Sequence, residues 1–406
     1  MSPDPFGPAM LGPVHLRNRV IKAATFEGRT PDALVTDELI EFHRRVAAGG
    51  AAMTTVAYCA VAPEGRTDRH QIWMRPDAVP GLQKLTDAVH AEGAAASAQI
   101  GHAGPVANAA SNRLPALAPG RQFNPLGLRF THAATESDLR RVIDAHAGAA
   151  RLAVRAGFDA VELHFGHNYL LSSFLSPLEN KRTDSYGGSL ENRARLVRQT
   201  ADAVRRAVGD SIAVLAKFNM DDGVRGGFRG AESLTVAQWL AADGNLDALE
   251  LTVGSSLRNP MFLFRGDVPI REFAAQFPPL QRWGIRLGGR KFLRTYPYRE
   301  TYLLDEALKF RAALDLPLIL LGGIASRAAI DTAMTNGFEF VAMARALLYD
   351  PNLINQLRAE ERTVSPCTHC NRCMPTIYER TRCVLTETDI TSATPGSAPS
   401  TKLTKN

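Results

Sequence analysis

Eight short apolar runs, each followed by a stretch with helical periodicity, constrain this 406-residue chain more than any other feature. They are VIKAAT (20–25), AMTTVAYC (52–59), AAASAQI (94–100), AVELHF (160–165), AVLAKFN (213–219), ALELTVG (248–254), PLILLGG (317–323) and FVAMAR (340–345). Runs this short and this continuously apolar read as strands buried on both faces, which requires helices on each side of a parallel sheet. Eight strand–helix units in one chain predict an α/β fold, a closed (β/α)8 barrel over residues 1–360. A doubly wound open sheet is the alternative, but the first strand–helix turn lacks that fold's glycine fingerprint.

Three stretches break the rhythm. Residues 101–137 form a Gly-, Ala-, Pro- and Asn-rich excursion after the third strand, and 255–300 a long insertion after the sixth. Long connections after barrel strands lie on the catalytic face, so both are candidates for roofing a site. The insertion is rich in Arg and aromatic residues, which fits a solvated helix or a subunit contact equally well. Residues 361–383 form a Cys-rich extension, and 384–406, rich in Ser, Thr, Pro and Lys, are expected to be a disordered tail.

The chain is 45% hydrophobic and 22% charged, as in soluble globular proteins, and its net charge of +6 is spread without a block of like charge. That balance suits an anionic small molecule better than a nucleic-acid backbone, so no nucleic-acid partner is expected. No apolar run is long enough to span a bilayer, and MSPDPFGPAM lacks the pattern of a signal peptide. A cytoplasmic address with no membrane partner follows as the expectation. A homo-oligomer is compatible with the sequence.

Residues at the carboxyl ends of barrel strands converge on one mouth. Strand 3 ends in Gln99 with His102 beyond it, and strand 4 ends in His164, followed by His167 and Tyr169. Strand 5 carries Lys217, strand 7 ends in Gly322 and Gly323, and strand 8 ends in Ala344 and Arg345. Backbone N–H groups and an Arg at the last two strands are the usual phosphate cradle of this fold. Two imidazoles can polarise one carbonyl oxygen while a nearby phenol supplies a proton. The alternatives are a structural His with a packed Tyr, or zinc at His-x-x-His, for which no further ligand has matching spacing.

The motifs NRVIKAAT (18–25), SAQIGHAG (97–104), DAVELHFGHNYLLSSFLSPLENKRTDSYGGSLENR (159–193), LLGGI (320–324) and ARALLYDP (344–351) together resemble the old yellow enzyme family of FMN-dependent NAD(P)H oxidoreductases. The resemblance spans nearly all of residues 5 to 350. It implies that His164 and His167 hold the carbonyl of the oxidising substrate and that Tyr169 protonates its α-carbon. Gln99 would contact the flavin pyrimidine edge, and Lys217 would stand where the family usually has Arg beside N1 and O2. Ala23, Ala24, Thr25 and Ala60 would line the isoalloxazine, and Gly322, Gly323, Ala344 and Arg345 would hold the phosphate. The implied activity is hydride transfer from NAD(P)H to flavin N5, then to an electron-poor alkene such as an α,β-unsaturated carbonyl compound. Two positions depart from the pattern: Phe26, where Thr or Cys is common near flavin O4, and Pro105, where Arg is common.

Four of the five cysteines, Cys367, Cys370, Cys373 and Cys383, lie in the extension. In a reducing compartment such spacing reads as a metal or iron–sulfur candidate before it reads as disulfides. Larger family members, the dienoyl-CoA reductases and trimethylamine dehydrogenases, carry a similar [4Fe–4S] cluster after the barrel. The alternatives are zinc, with His369 available, or unmetallated thiols. A cluster would favour a second function: an iron–sulfur flavoprotein component acting on amines or enoyl thioesters with a separate electron-transfer partner. A third reading is a non-flavin barrel enzyme such as a phosphate-binding lyase.

Overall fold

The computed structural model describes residues 2–124, 129–378 and 380–386. The eight runs form one closed parallel barrel: β1 (Val20–Lys22), β2 (Met53–Ala60), β3 (Ala95–Gly101), β4 (Ala160–Phe165), β5 (Ala213–Asn219), β6 (Ala248–Thr252), β7 (Leu318–Leu320) and β8 (Phe340–Met343). Each strand pairs with its neighbours in sequence, and β8 closes on β1 through Val341↔Val20, Ala342↔Ile21 and Met343↔Lys22. The (β/α)8 expectation is met. Strands 1, 7 and 8 stop short of their apolar runs, and β7 ends before Gly322 and Gly323, which take positive φ.

Helices α1 (Asp37–Ala48), α2 (Val79–Ala91), α3 (Glu136–Arg155), α4 (Leu190–Val208), α5 (Ala231–Ala242), α6 (Leu304–Arg311), α7 (Arg327–Thr335), α8 (Arg345–Tyr349) and α9 (Leu353–Arg358) follow the strands. Several start on side-chain caps. Thr36 and Ser189 each accept a backbone N–H, and Thr135 forms a capping box with Asp138.

The period-two alternation of the strands divides the apolar residues into two cores. Val161, Leu163 and Phe165 face outward and pack with helix residues such as Leu139, Val197 and Leu240. Ala160, Leu215, Ala248, Ile319, Phe340 and Ala342 fill the barrel interior. A hairpin, Ala9–Leu11 with Val14–Leu16, closes the amino-terminal end by adding Leu11 and Leu16 to that interior core. A cavity of about 380 Å³, lined by residues including His15, Arg17, His90 and Asp159, lies at this end, the face that in such barrels carries stability rather than chemistry. Among the described residues no helix is long and apolar enough to cross a membrane.

The Cys-rich extension is bound to the barrel mouth. Asn371 donates to the carbonyls of Phe264 and Asp267 at 2.7 and 2.9 Å and accepts from Arg345. Thr381 N–H donates to Glu27 O at 2.9 Å, and Arg29 donates to Thr381 O at 2.7 Å. Met374 shares a small apolar cluster with Met261 and Leu293 of the insertion after β6. The expected tail, 384–406, lies almost wholly outside the described residues, which end at 386.

Gly266 makes this docking possible. Its φ is +126°, and a Cβ there would lie 2.2 Å from the His369 carbonyl oxygen. Gly266→Ala is expected to cost about 1–3 kcal/mol of local backbone strain and to loosen the extension. Limited proteolysis should then cleave beyond residue 360 several-fold faster than in the wild type, with the barrel core intact. Unchanged cleavage would count against this docking.

Candidate active site

The interior residues stack in tiers because residues two apart on a strand share a face. Above the apolar tier of Ala160, Leu215 and Ala248 comes a polar one of Gln99, Glu162, Lys217 and Glu250, each at most 5% exposed. Above that, at the mouth, come His164, Asn219 and Thr252.

Gln99 Nε2 donates to Glu162 Oε1 at 2.6 Å, and Lys217 Nζ lies 3.5 Å from the same oxygen while hydrogen-bonding Glu250. Burial alone would lower the Lys217 pKa, but Glu162 and Glu250 outweigh it and the ammonium is held above its ordinary value. Lys217 is therefore a fixed cation paired with two carboxyl groups. Neither glutamate was anticipated. The signal was present: a lone acidic residue inside each of AVELHF and ALELTVG, on the face shared with His164 and Thr252.

His164, His167 and Tyr169 come together at the mouth. The ring centroids of His164 lie 5.1 Å from His167 and 4.4 Å from Tyr169, the latter edge-on at 84°. His167 and the following Asn168 adopt left-handed φ of +61° and +55°, folding the chain back from β4. His167 Nε2 is 3.0 Å from Thr252 Oγ1, while His164 Nδ1 is buried with no hydrogen-bond partner among the described residues. Tyr58, also unanticipated, packs edge-on against Tyr169 at 5.5 Å and donates from its hydroxyl to Gly65 O.

Burial, reinforced by the charge of Lys217, pushes His167 down to about 3 and His164 well below its ordinary value. Each neutral imidazole carries one N–H donor; on His167 it is at Nδ1 if Nε2 accepts from the Thr252 hydroxyl. An unfolded chain protonates these rings near pH 6.5, so between about pH 3 and about pH 6.5 the unfolded state binds more protons and stability falls with acidification. Thermal denaturation from about pH 4.5 to about pH 7.5 should show that loss, and His167→Gln should flatten it by about one proton. An identical pH dependence in the variant would refute the depressed value.

The remaining expected residues are placed as follows. Ala23 is buried inside the barrel, and Ala24 packs on the cluster containing Ala60's neighbours Ala57 and Tyr58. Thr25 Oγ1 is buried without a partner among the described residues. Gly322 and Gly323 adopt φ of +100° and +79°, and their N–H groups donate no turn, loop or cap bond among the described residues. Ala344 leads into α8, and Arg345 donates to Arg265 O at 2.8 Å beneath the Tyr298 ring. His102 is fully buried, its Nδ1 accepting the Gly104 N–H at 3.0 Å, and serves the loop.

These features fit an FMN. Buried Thr25 and His164 atoms lack partners among the described residues, and Gln99 and Lys217 both reach Glu162 Oε1. Two positive-φ glycines follow β7 as an Arg follows β8; these are the groups that a flavin ring and its phosphate monoester would need. Among the described residues no group of three or more His, Cys, Asp or Glu side chains is arranged to hold a metal ion. The His164–His167 pair likewise gains no third ligand.

Comparison with known proteins shows the family. Residues 4–254 match the NADH:flavin oxidoreductase / NADH oxidase family. The chain is 56% identical over 384 residues to the 4,4'-dithiodibutanoate disulfide reductase of Rhodococcus erythropolis, covering 95% of each chain. It superimposes on a 2-naphthoyl-CoA reductase with a TM-score of 0.80 at 25% identity, covering 94% of this chain but only 56% of that one. An old yellow enzyme homologue from Zymomonas mobilis shares the fold, with a TM-score of 0.69 at 21% identity over 89% of this chain and 94% of the other. The chain belongs to the NADH:flavin oxidoreductase / NADH oxidase family, the FMN-dependent oxidoreductases of the old yellow enzyme type.

Proposed function

We propose that the protein is an NAD(P)H-dependent reductase of electron-poor alkenes, such as α,β-unsaturated carbonyl compounds. The observation that carries this reading is the neutral His164–His167 pair with Tyr169 edge-on at 4.4 Å. FMN, when bound, accepts hydride from the nicotinamide and supplies it to the acceptor. Gln99 and Lys217 would hold its pyrimidine edge, Ala23, Ala24, Thr25 and Ala60 its ring, and Gly322, Gly323, Ala344 and Arg345 its phosphate. His164 and His167 donate hydrogen bonds to the acceptor carbonyl, drawing charge onto its oxygen. Tyr169 delivers a proton to the α-carbon. Phe26, next to Thr25, would narrow the space over the flavin ring.

A second acceptor class is favoured by the 56% identity to a disulfide reductase over nearly the whole of both chains. For an organic disulfide the S–S bond breaks, two electrons arrive, and two thiols form as two protons are taken up. Tyr169 would protonate one departing sulfur.

The purified protein should be yellow, bleach anaerobically with NADPH or NADH, and recover colour with an enone, an organic disulfide or both. Colourless protein that takes up no FMN overturns both readings. Recovery with the disulfide alone overturns the alkene reading.

Cys367, Cys370, Cys373 and Cys383 are free thiols, and burial, with the neighbouring cysteines adding to it, raises the proton affinity of Cys367 and Cys373. A four-iron cluster, in which each thiolate binds its own iron, is the metal reading we favour, with zinc, for which His369 is available, as the alternative. Iron and acid-labile sulfide near four per chain would support it; their absence from anaerobically purified protein would leave the cysteines as thiols. A cluster would also favour a separate electron partner, testable as activity that appears only when one is added. We place residues 1–360 as the catalytic barrel and 361–383 as its extension on the same grounds.

A further inference from the structure

In the polar tier, two buried carboxyl groups face one lysine. Glu250 Oε1 is taken by Lys217, but Glu250 Oε2 is fully buried and has no hydrogen-bond partner among the described residues. A bare carboxylate oxygen in a dry interior is strongly disfavoured unless it carries a proton. The groups around it leave few other sources of compensation. From β5 comes Lys217, from β4 Glu162 with His164 one tier up, from β3 the uncharged Gln99, and from β7 the apolar Ile319 in register with Glu250. His167 at the mouth is neutral, and Lys22 on β1 is already paired with Glu27 at 2.9 Å.

We propose that Glu250 is a redox-linked proton site beside the flavin: where it is ionised in the oxidised protein, Oε2 takes a proton from solvent when two electrons arrive on the cofactor and releases it when they leave, and at lower pH it keeps that proton throughout. This rests on the reading that Gln99 and Lys217 border the bound FMN. Hydride passes from the nicotinamide to the cofactor, while one solvent proton forms one O–H bond on Glu250; no electrons pass to the side chain. The reason is electrostatic. Lys217 is the cation expected to offset negative charge gained by the flavin, but it is already engaged with two carboxyl groups. Protonating Glu250 releases that cation's field toward the ring without moving any heavy atom. Glu250 acts through Lys217 and is a positioning residue.

Burial, with Glu162 adding to it, pushes the Glu250 carboxyl up to about 8 against the pull of Lys217. Below that pH the carboxyl holds its proton in both redox states. Above it, reduction draws one more proton.

The test is the midpoint potential of the FMN-loaded protein between about pH 6 and about pH 9.5, read by spectroelectrochemistry. The wild type should follow one proton per two electrons below about pH 8 and two above it, and Glu250→Gln should keep the one-proton slope throughout. A reduction-induced infrared difference spectrum above the break should show a protonated-carboxyl band that shifts in D2O and is lost in the variant. A constant one-proton slope in the wild type, or a break that survives in Glu250→Gln, overturns the inference while leaving the flavin reading intact. If the variant does not fold, the wild-type slope and band decide. Protein that binds no FMN overturns the flavin reading and this inference together.

Discussion

Tyr169→Phe is expected to slow reduction of an enone by roughly 100- to 10,000-fold, the range typical of a lost general acid. Reduction of the bound flavin by NAD(P)H should change by less than about twofold, because hydride delivery from the nicotinamide needs no proton from the phenol. The substitution removes one oxygen and keeps the ring that packs edge-on against His164 and Tyr58, so binding of cofactor and acceptor should persist. Anaerobic stopped-flow measurement of the two half-reactions separates the effects. Equal slowing of both would show that Tyr169 shapes the chamber and does not deliver the proton. With an organic disulfide the expected loss is smaller, since a thiolate leaves more readily than a carbanion and can draw its proton from water.

Lys217→Met should destabilise the folded protein by about 3–5 kcal/mol, the usual cost of removing one partner from a buried ion pair. Glu162, 1% exposed, would lose the ammonium 3.5 Å away, and Glu250, whose carboxyl already favours a proton, would lose the ion-pair partner that opposes it, so both would be held in the protonated form. A carboxyl whose folded-state pKa is raised binds a proton that the unfolded chain releases near pH 4.3. The variant should therefore lose stability as pH rises from about 4.3 and regain it on acidification. Melting temperatures at about pH 5 and about pH 8 test this: the gap from wild type should narrow at the lower pH. A gap that does not change would mean that the carboxyl groups reach solvent or find other donors. The same variant should also bind FMN more weakly, readable as flavin lost on gel filtration.

Much of this was legible in the chain itself. AVELHF, AVLAKFN and ALELTVG, with five other runs of that kind, dictate a parallel barrel because strands without a polar face need helices on both sides. The fold rule that gathers strand ends at one mouth then placed Gln99, His164, Lys217 and Gly322 together without any coordinates. Glu162 could have been found the same way, since it shares a face with the predicted site residue His164 two positions on, and Glu250 only through Thr252, which was not a predicted site residue. They were passed over because a single acidic residue in an apolar run carries no signal of its partner.

Local sequence determined the elements, their order and the residues offered to the mouth, because periodicity and caps act over a few residues. Tertiary structure alone decided which charges meet. Glu250 lies 33 residues from Lys217 and Asn371 lies 26 from Arg345, and only closure of the barrel brings them within hydrogen-bond reach. Docking of the extension was decided in the same way, by a glycine at 266 whose missing Cβ leaves room for the carbonyl of His369, a contact between segments about 100 residues apart that no local pattern encodes.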